Sequence, residues 1–279
     1  MHGHLVLNPD ELGADPVAGM DLAVALGIGR LEIRSAYGAN ALLLADEQLL
    51  HIRELADERE LTVAALASPL WKWCRPEAAT GQVDSFGFPT RVPASERTQW
   101  IDRALHVAQL LGTERVRIFS HLKVEHGPQD ALLGDRLLTY ALDQADRANV
   151  RLLLENEPVC TIATAHPLLE VLRRHDRLRL WLDLGNLHEV GQADAGTVAE
   201  LAPYVDYVHI KDFIPGHEGW KDFVAAGAGH VPYSRLLPVL EQVRPGLPYA
   251  LETHVRDDPA AALREGAAFL RTATSGTRT

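Results

Sequence analysis

The amino-acid sequence predicts an α/β protein with the architecture of a single-domain (β/α)8 TIM barrel. Short apolar segments of strand length alternate with segments of helix length, which implies parallel strands joined by right-handed crossovers. Eight such units fit into the 279 residues, and about 250 residues is typical of this barrel. No glycine-rich phosphate loop follows the first strand, which disfavours an open doubly wound sheet.

Eight segments have the apolar composition of buried strands. Their ranges are 4–8, 30–35, 61–68, 115–120, 151–156, 179–184, 207–212 and 249–254. No linker interrupts their alternation with helix-length segments. We therefore expect one domain over residues 1–272 and a frayed polar tail over 273–279.

Three intervening segments are clear helix candidates, at 46–60, 95–112 and 134–149. In the second of them, apolar residues recur at spacings of three and four, as expected for a helix packed on a sheet. This stripe consists of Trp100, Ala104, Val107, Ala108 and Leu111. Gly112 stands where a helix C-terminus is expected.

Two long insertions interrupt the pattern, at 68–94 after the third strand and at 214–230 after the seventh. Loops of this length in a compact domain are usually lids, binding loops or disordered. Their tryptophan and phenylalanine residues argue against disorder. We expect both insertions at the C-terminal face of the barrel, where such proteins place their active sites.

The composition excludes several classes of function. A formal net charge of −11 argues against nucleic acid as a partner, because phosphate binding favours a basic face. Cys74 and Cys160 are far apart and are expected to be reduced thiols. We see no signal peptide and no apolar run long enough to cross a bilayer. These features predict a cytoplasmic protein without a membrane partner.

Four strands of the second half end in a residue that can bind a divalent metal: Glu155, Asp183, His209 and Glu252. Taken singly, each carboxylate is more often an ion-pair partner or a helix cap, and the histidine a core residue. Together they form a set of oxygen and nitrogen donors that suits Mn²⁺, Mg²⁺, Co²⁺ or Zn²⁺. No thiolate belongs to the set, which argues against structural zinc. We expect one ion and favour Mn²⁺.

Five short motifs carry a resemblance to a known group of proteins. They are LLLENEP, LDLGNLHEVG, YVHIKDF, AGAGHVPYSRLL and ALETH, in this order between residues 152 and 254. With them the chain resembles the xylose-isomerase-like barrel superfamily, in particular its sugar phosphate isomerase/epimerase proteins. These include ketose 3-epimerases, hydroxypyruvate isomerases, and inosose isomerases and dehydratases. The resemblance extends over nearly the whole chain.

The resemblance implies a metal-dependent isomerase or epimerase of a small sugar, keto-sugar or polyol derivative. Glu155, Asp183, His209 and Glu252 would bind the metal. Glu155 and Glu252 would also act as the catalytic acid/base pair that forms and resolves an enediolate. The metal would polarise an α-hydroxy carbonyl substrate and so acidify the neighbouring C–H.

One position departs from the family pattern. Many members carry a second histidine three residues after the strand-six aspartate, whereas this chain has Asn186 there and His188 two residues later. Asn186 can form a hydrogen bond with a substrate hydroxyl but cannot carry a proton near neutral pH. Asn186 and His188 are both expected to contact substrate.

Two arginines are further candidates for substrate binding. Arg34 ends the second strand and Arg117 lies in the fourth. Each either holds a substrate carboxylate or phosphate or pairs with an interior glutamate such as Glu32 or Glu155.

Four other residues are weaker candidates for substrate contact. His121 and Lys211 follow strand ends, and Lys211 is also suited to orient a metal-binding carboxylate. Trp71 and Trp73 either stack on a sugar or an aromatic aglycone or pack beneath a lid.

Three other functions remain open. The first is a lyase of the same superfamily, either a dehydratase or a C-glycoside-cleaving enzyme acting on a 3-keto-sugar, which the aromatic loop favours. The second is a metal-dependent phosphodiesterase resembling abasic-site endonucleases, which the net charge and the small number of strand-end histidines disfavour. The third is a non-catalytic subunit. The expected partner is a small carbohydrate-like molecule, and the resemblance implies dimers or tetramers, or a partner subunit that supplies specificity loops.

Overall fold

Eight parallel strands close into a barrel in the computed structural model of the chain, which describes residues 4–73, 86–123, 132, 135–217 and 220–275. The strands are β1 Leu5–Leu7, β2 Arg30–Ile33, β3 Thr62–Leu66, β4 Arg115–Ile118, β5 Arg151–Glu155, β6 Arg179–Asp183, β7 Val205–Ile210 and β8 Tyr249–Leu251. Each strand pairs with the next, and β8 pairs with β1. The predicted (β/α)8 barrel is confirmed, and every predicted segment overlaps one barrel strand, although β7 begins two residues before its predicted segment.

The helices surround the barrel. They are α1 Pro16–Ala25, α2 Asp46–Asp57, α3 Arg97–Leu111, α4 Arg136–Arg147, α5 Ala165–Arg174, α6 Leu184–Glu189, α7 Ala195–Leu201, α8 Tyr233–Val243 and α9 Pro259–Ser275. Short 3-10 turns lie at Pro9–Leu12, Ala41–Leu43 and Ala202–Tyr204. The three predicted helices are confirmed as α2, α3 and α4, each slightly shorter than expected.

Helix α3 shows why the sequence pattern was informative. Four residues of its predicted stripe are buried against the barrel, and Trp100 is partly buried beside them. Gly112 ends the helix with a φ of +73°, a left-handed conformation that glycine adopts at little cost. The apolar stripe and the glycine stop together fix where this helix packs and where it ends.

The interior of the barrel contains a small apolar cluster separate from the larger core between strands and helices. Successive side chains of a strand alternate between faces. Leu153, Trp181, Tyr207 and Ala250 belong to the interior cluster, so the residues two positions later also face inward. Those residues are the four predicted metal ligands, and the alternation places them just above the apolar floor.

The insertion after β7 forms an antiparallel ribbon of Asp212–Pro215 and Lys221–Val224. The Asp212 carboxylate accepts hydrogen bonds from the backbone N–H groups of Gly227, Gly229 and Val231, each at 3.0 Å. A Cβ atom on Gly229 would overlap this carboxylate, so the glycine-rich turn is shaped around Asp212.

Parts of the predicted organisation lie outside the described residues. The insertion after β3 is described only up to Trp73 and again from Phe86, and its predicted position as a lid remains a prediction. The predicted domain limit at residue 272 falls inside α9, which continues to Ser275. Within the described part of the chain, no helix is long and apolar enough to cross a membrane.

Candidate metal and active site

The imidazole of His209 is the point on which the four predicted ligands converge. Its Nδ1 atom lies 3.3 Å from Glu155 Oε1, 3.3 Å from Glu252 Oε2 and 3.7 Å from Asp183 Oδ2. All four residues are buried. Donor atoms of Glu155, Asp183 and His209 form the tightest group, within 4.8 Å of one another, and Glu252 adjoins it through His209.

Asp183 uses its two carboxylate oxygens for different purposes. Oδ1 accepts the backbone N–H of Asn186 at 2.7 Å and so caps α6. Oδ2 faces His209 and lies 2.8 Å from Lys211 Nζ. Asp183 can therefore cap α6 with one oxygen and remain a candidate metal ligand with the other.

Glu32 orients the central histidine from inside the barrel. Its Oε2 atom lies 2.9 Å from His209 Nε2, and its Oε1 atom accepts a 3.4 Å hydrogen bond from Asn8. A carboxylate at Nε2 favours a proton on that nitrogen, and the opposite nitrogen, Nδ1, faces the other carboxylates, where it could bind a metal. Sequence reasoning treated Glu32 only as an arginine partner, although a charged residue inside an apolar strand was the available signal.

The donor set fits a divalent cation. His209 Nδ1 is buried and has no hydrogen-bond partner among the described residues, which is costly unless a ligand satisfies it. Burial alone would lower the pKa of His209, but the carboxylates of Glu32, Glu252 and Glu155 raise it well above its ordinary value. The carboxylates therefore stabilise positive charge at this point strongly enough to overcome desolvation.

Both candidate catalytic glutamates are held by an arginine. Arg117 Nη1 lies 3.0 Å from Glu155 Oε2, and Arg34 Nη1 donates to Glu252 Oε1 at 2.7 Å. Of the two roles open to these arginines in the sequence, pairing with a glutamate is present in the structure. Both arginines also line the cavity described below, so contact with substrate stays a prediction.

The charges around Glu252 and Asp183 keep both carboxyl groups ionised. Burial alone would raise the pKa of Glu252, but His209, His254 and Lys211 hold it well below its ordinary value. For Asp183, burial is likewise outweighed by Lys211 and His209, and the pKa is lowered. Ionised carboxylates are the form that binds a metal and accepts a proton.

A second group of acidic residues anchors Arg34. Asp10 accepts hydrogen bonds from Nε at 3.0 Å and from Nη2 at 2.7 Å, and Glu11 accepts one at 3.0 Å. Ser35 donates to Asp10 at 2.6 Å. Asp10 and Glu11 lie on a short turn after β1, and the sequence pattern gave no reason to select them.

A cavity of about 170 Å³ opens beside these side chains. The described residues that line it are Arg34, Asn40, Pro69, Lys72, Phe86, Arg117, Phe119, Glu155, Glu157, Lys211, Glu252 and His254. Five of the predicted site residues are among them: Arg34, Arg117, Glu155, Lys211 and Glu252. Lys72, Glu157 and His254 were not predicted.

Trp71, Trp73 and His121 are buried and lie together where the loops after β3 and β4 begin. The two indole rings stack with centroids 5.5 Å apart, and Trp71 Nε1 donates to Asp135 at 3.0 Å. His121 Nε2 lies 3.7 Å from the same carboxylate. None of the three is among the described residues that line the cavity, and both tryptophans are fully buried, so their contact with substrate stays a prediction.

Asn186 and His188 also lie outside the described lining of the cavity. Asn186 donates from Nδ2 to the carbonyl of Asn156 at 2.9 Å. Asn156 in turn forms two hydrogen bonds with the backbone of Asp183, at 2.8 and 2.9 Å. His188 packs against Phe213 with ring centroids 5.6 Å apart. Asn186 thus takes part in holding the ends of β5 and β6 in register, and substrate contact by either residue stays a prediction.

A family model described as the xylose isomerase-like TIM barrel matches residues 20–273. A comparison with curated protein sequences gave no match. Among solved structures, the chain superposes on an IolI protein with a bound zinc atom at a TM-score of 0.78, with 17% identity and 99% of each chain covered.

The names of two further similar structures state two different activities. An L-ribulose 3-epimerase superposes at a TM-score of 0.74 with 15% identity, covering 99% of this chain and 96% of the other. The probable 3-DHS dehydratase AsbF from Bacillus anthracis superposes at 0.72 with 15% identity, covering 96% and 98%. At such low identity these likenesses show the shared fold.

Proposed function

The chain belongs to the xylose isomerase-like TIM barrel family, and from this premise we propose that it is a divalent-metal-dependent isomerase or epimerase of a small sugar, keto-sugar or polyol derivative. One observation carries the proposal. Glu155 and Glu252, each held by its own arginine, face the same imidazole nitrogen and line one cavity. Two positioned carboxylates beside a cation site suit proton removal and return at a carbon next to a carbonyl.

The residues that would hold the ion are Glu155, Asp183, His209 and Glu252. When bound, the ion polarises the substrate carbonyl and so lowers the pKa of the neighbouring C–H. We propose Mn²⁺, since all four donors are oxygen or nitrogen. Co²⁺, Mg²⁺ and Zn²⁺ suit the same donors, and metal analysis of the purified protein distinguishes them.

The proton transfers belong to the two glutamates. One carboxylate takes the proton from the carbon next to the carbonyl, which leaves an enediolate. The other glutamate, which is protonated at that stage, donates its proton to the opposite face of that carbon, which gives the epimer, or to the adjacent carbon, which gives the isomer. The substrate neither gains nor loses atoms, and solvent exchange of the glutamate protons restores the starting state.

The two arginines hold the glutamate side chains in defined positions. Arg117 donates to the backbone carbonyls of Ser68 at 3.3 Å and Ala67 at 3.1 Å, while it pairs with Glu155. Its guanidinium is therefore held by the segment that directly follows β3, and it holds the glutamate in turn. Positioning of a base against an acidified C–H contributes to rate because little motion remains to be restricted.

A lyase is the second candidate function. His254, on the loop after β8, lies 3.4 Å from Glu252 Oε2 and lines the cavity, so it is placed to protonate a departing hydroxyl. The dehydratase among the structural neighbours supports this candidate as an analogy. An aromatic leaving group has less support, because Trp71 and Trp73 are fully buried. The mass of the product separates the two functions, since only elimination changes it.

Deuterium exchange tests the leading proposal. The metal-loaded protein is incubated in D₂O with a broad panel of ketoses, keto-sugars and inososes, and deuterium at the carbon next to the carbonyl is measured by NMR. We expect exchange with at least one compound and a loss of about 10²- to 10⁴-fold for Glu155→Gln and Glu252→Gln.

The matched control for these variants is Glu189→Gln, which changes a glutamate paired with Lys221 outside the cavity lining. It should exchange at the wild-type rate. Absence of exchange across the panel, or full activity of Glu155→Gln, would overturn the proposal.

A further inference from the structure

An ion pair that the proposed reaction does not use stands in the wall of the same cavity. Lys72 Nζ donates to Glu157 Oε2 at 2.9 Å, and the two side chains keep 15% and 16% of their surface exposed. Both residues line the cavity together with Glu155 and Glu252. Among the described residues, no other side chain donates a hydrogen bond to the Glu157 carboxylate.

The backbone on both sides of this pair is held rigidly. The N–H of Phe119 donates to the carbonyl of Leu70 at 2.8 Å, which joins the loop after β4 to the loop that carries Lys72. The N–H of Lys123 donates to the carbonyl of Val159 at 2.9 Å, which joins the same β4 loop to the loop that carries Glu157. Each partner of the ion pair is therefore tied to the loop between them.

The conformation of Trp71 directs Lys72 into the cavity. Trp71 has a φ of +63°, which is rare for a bulky residue and costs free energy that the surroundings must offset. Its indole is completely buried and donates to Asp135. The turn sends the indole into the core and leaves the next side chain, Lys72, at the cavity wall.

Phe119 orients the ammonium group further. Its ring centroid lies 4.6 Å from Lys72 Nζ, within the range of a cation–π contact. The ammonium thus has one carboxylate partner and one aromatic face, and it has three N–H donors in all. On the other side of the pair, Glu157 has a carboxylate oxygen that Lys72 does not use. Donor and acceptor capacity therefore remain side by side.

We propose that Lys72 and Glu157 form a subsite that binds two neighbouring hydroxyl groups of an uncharged substrate and discriminates against phosphorylated or carboxylated analogues. This inference rests on the proposed function and names the substrate class of that site. A hydroxyl group both donates and accepts hydrogen bonds, so adjacent hydroxyls match an adjacent carboxylate and ammonium. The residues act on specificity and do not take part in the proton transfers.

The charge of Glu157 supplies the discrimination. A phosphate or carboxylate of the substrate at this position would approach the Glu157 carboxylate, and the Lys72 ammonium beside it is already paired with that carboxylate. Like-charge contacts of this kind disfavour the wrong ligand. The cavity volume of about 170 Å³ is also below the 300–1,000 Å³ or so of pockets for drug-sized ligands, which suits a short polyol chain.

Equilibrium binding tests the subsite without requiring turnover. Glucitol, mannitol and galactitol, and their 6-phosphate esters, are titrated into the Mg²⁺-loaded protein with ligand-observed NMR. We expect at least one hexitol to bind more tightly than its phosphate. Glu157→Gln should weaken hexitol binding about 10- to 100-fold, the value of a hydrogen bond to a charged group, and should reverse or abolish the preference over the phosphate.

Two further variants separate the loss of the Lys72–Glu157 ion pair from a general loss of binding. Lys72→Met/Glu157→Leu removes both charges without leaving an unpaired one, should fold, and should lose hexitol binding. Glu189→Gln changes a paired glutamate outside the cavity and should bind as the wild type does. Equal hexitol affinity for wild type and Glu157→Gln, a wild-type preference for the phosphates, or no hexitol binding would each overturn the inference. Deuterium exchange by the wild type is measured separately, so failure of the subsite is distinguished from failure of the proposed reaction.

Discussion

His209 Nε2 lies 2.9 Å from Glu32 Oε2 inside the barrel, and both side chains are completely buried. This contact sets the direction of the opposite nitrogen, Nδ1, toward the three candidate metal-binding carboxylates. A histidine that donates one N–H to a carboxylate presents its other nitrogen as a stronger and better-oriented ligand. Glu32 therefore belongs to the site although it does not line the cavity.

Glu32→Gln should lower metal affinity by about 10- to 100-fold, as loss of such outer partners usually does. A glutamine amide can donate a hydrogen bond to Nε2 as well as accept one from it. The proton is then no longer held on Nε2, and Nδ1 is less available as a metal ligand. Metal titration by calorimetry measures the effect. Asp206→Asn is the matched control, because Asp206 is a buried carboxylate paired with Arg115 and Arg151, away from the metal ligands. Wild-type metal affinity in Glu32→Gln would contradict this role.

Arg34→Met should destabilise the fold by about 3–5 kcal/mol, because it leaves Asp10, Glu11 and Glu252 buried without their shared counter-charge. Urea unfolding of the metal-free protein measures the change. Arg177→Met is the control, since Arg177 forms exposed ion pairs with Asp143 and Asp146 and should change stability by less than about 1 kcal/mol. Similar losses of unfolding free energy in both variants would show that the buried ion pairs of Arg34 stabilise the fold no more than exposed ion pairs do.

Gly185→Ala should reduce turnover while leaving the protein folded. A Cβ at this position would lie 2.6 Å from Lys211 Cγ, so Lys211 must move away from Asp183, with which it pairs at 2.8 Å. Gly29→Ala is the control, because nothing lies within 4 Å of a Cβ there. Steady-state kinetics with the substrate found by deuterium exchange should show a lower kcat for Gly185→Ala alone. Equal kcat values would mean that the glycine is not needed to place Lys211.

Cys160 should be unreactive in the native protein. Burial, with a smaller effect of the Glu157 carboxylate, raises the pKa of its thiol well above the ordinary value. A thiol whose pKa is raised by folding stays protonated when the unfolded chain begins to ionise, so native stability falls as pH rises above about 8.5. In a Cys74→Ser background, a thiol reagent at pH 8 should label no cysteine before denaturation and one after it. Rapid labelling of the native protein would contradict the burial of this thiol.

The barrel and the convergence of the four candidate metal ligands could be predicted because both follow from periodicity. Strand alternation places Glu155, Asp183, His209 and Glu252 on the inward face, each two residues beyond a residue of the interior cluster. The same rule, continued past the end of β5, could have found Glu157, which stands two residues after Glu155.

Other parts of the site depend on contacts between distant segments. Glu32 and His209 are 177 residues apart, and no local pattern relates them. The tryptophans after β3 were candidates either for stacking on a substrate or for packing beneath a lid, and the sequence did not show that both are buried or that Trp71 has a left-handed backbone. Substrate contact by Asn186 stays a prediction, and the hydrogen bond from its amide to the carbonyl of Asn156 could not be read from the sequence. Such outcomes depend on backbone conformation and on packing, which the sequence pattern does not contain.

The most direct test of the account is an anomalous diffraction map from crystals grown with Mn²⁺. We predict one strong peak per chain within coordination distance, about 2.0–2.6 Å, of His209 Nδ1 and the carboxylates of Glu155, Asp183 and Glu252. Crystals of Asp183→Asn grown in the same way should show a much weaker peak. A peak elsewhere in the molecule, or no peak beside His209 in the wild type, would contradict the account.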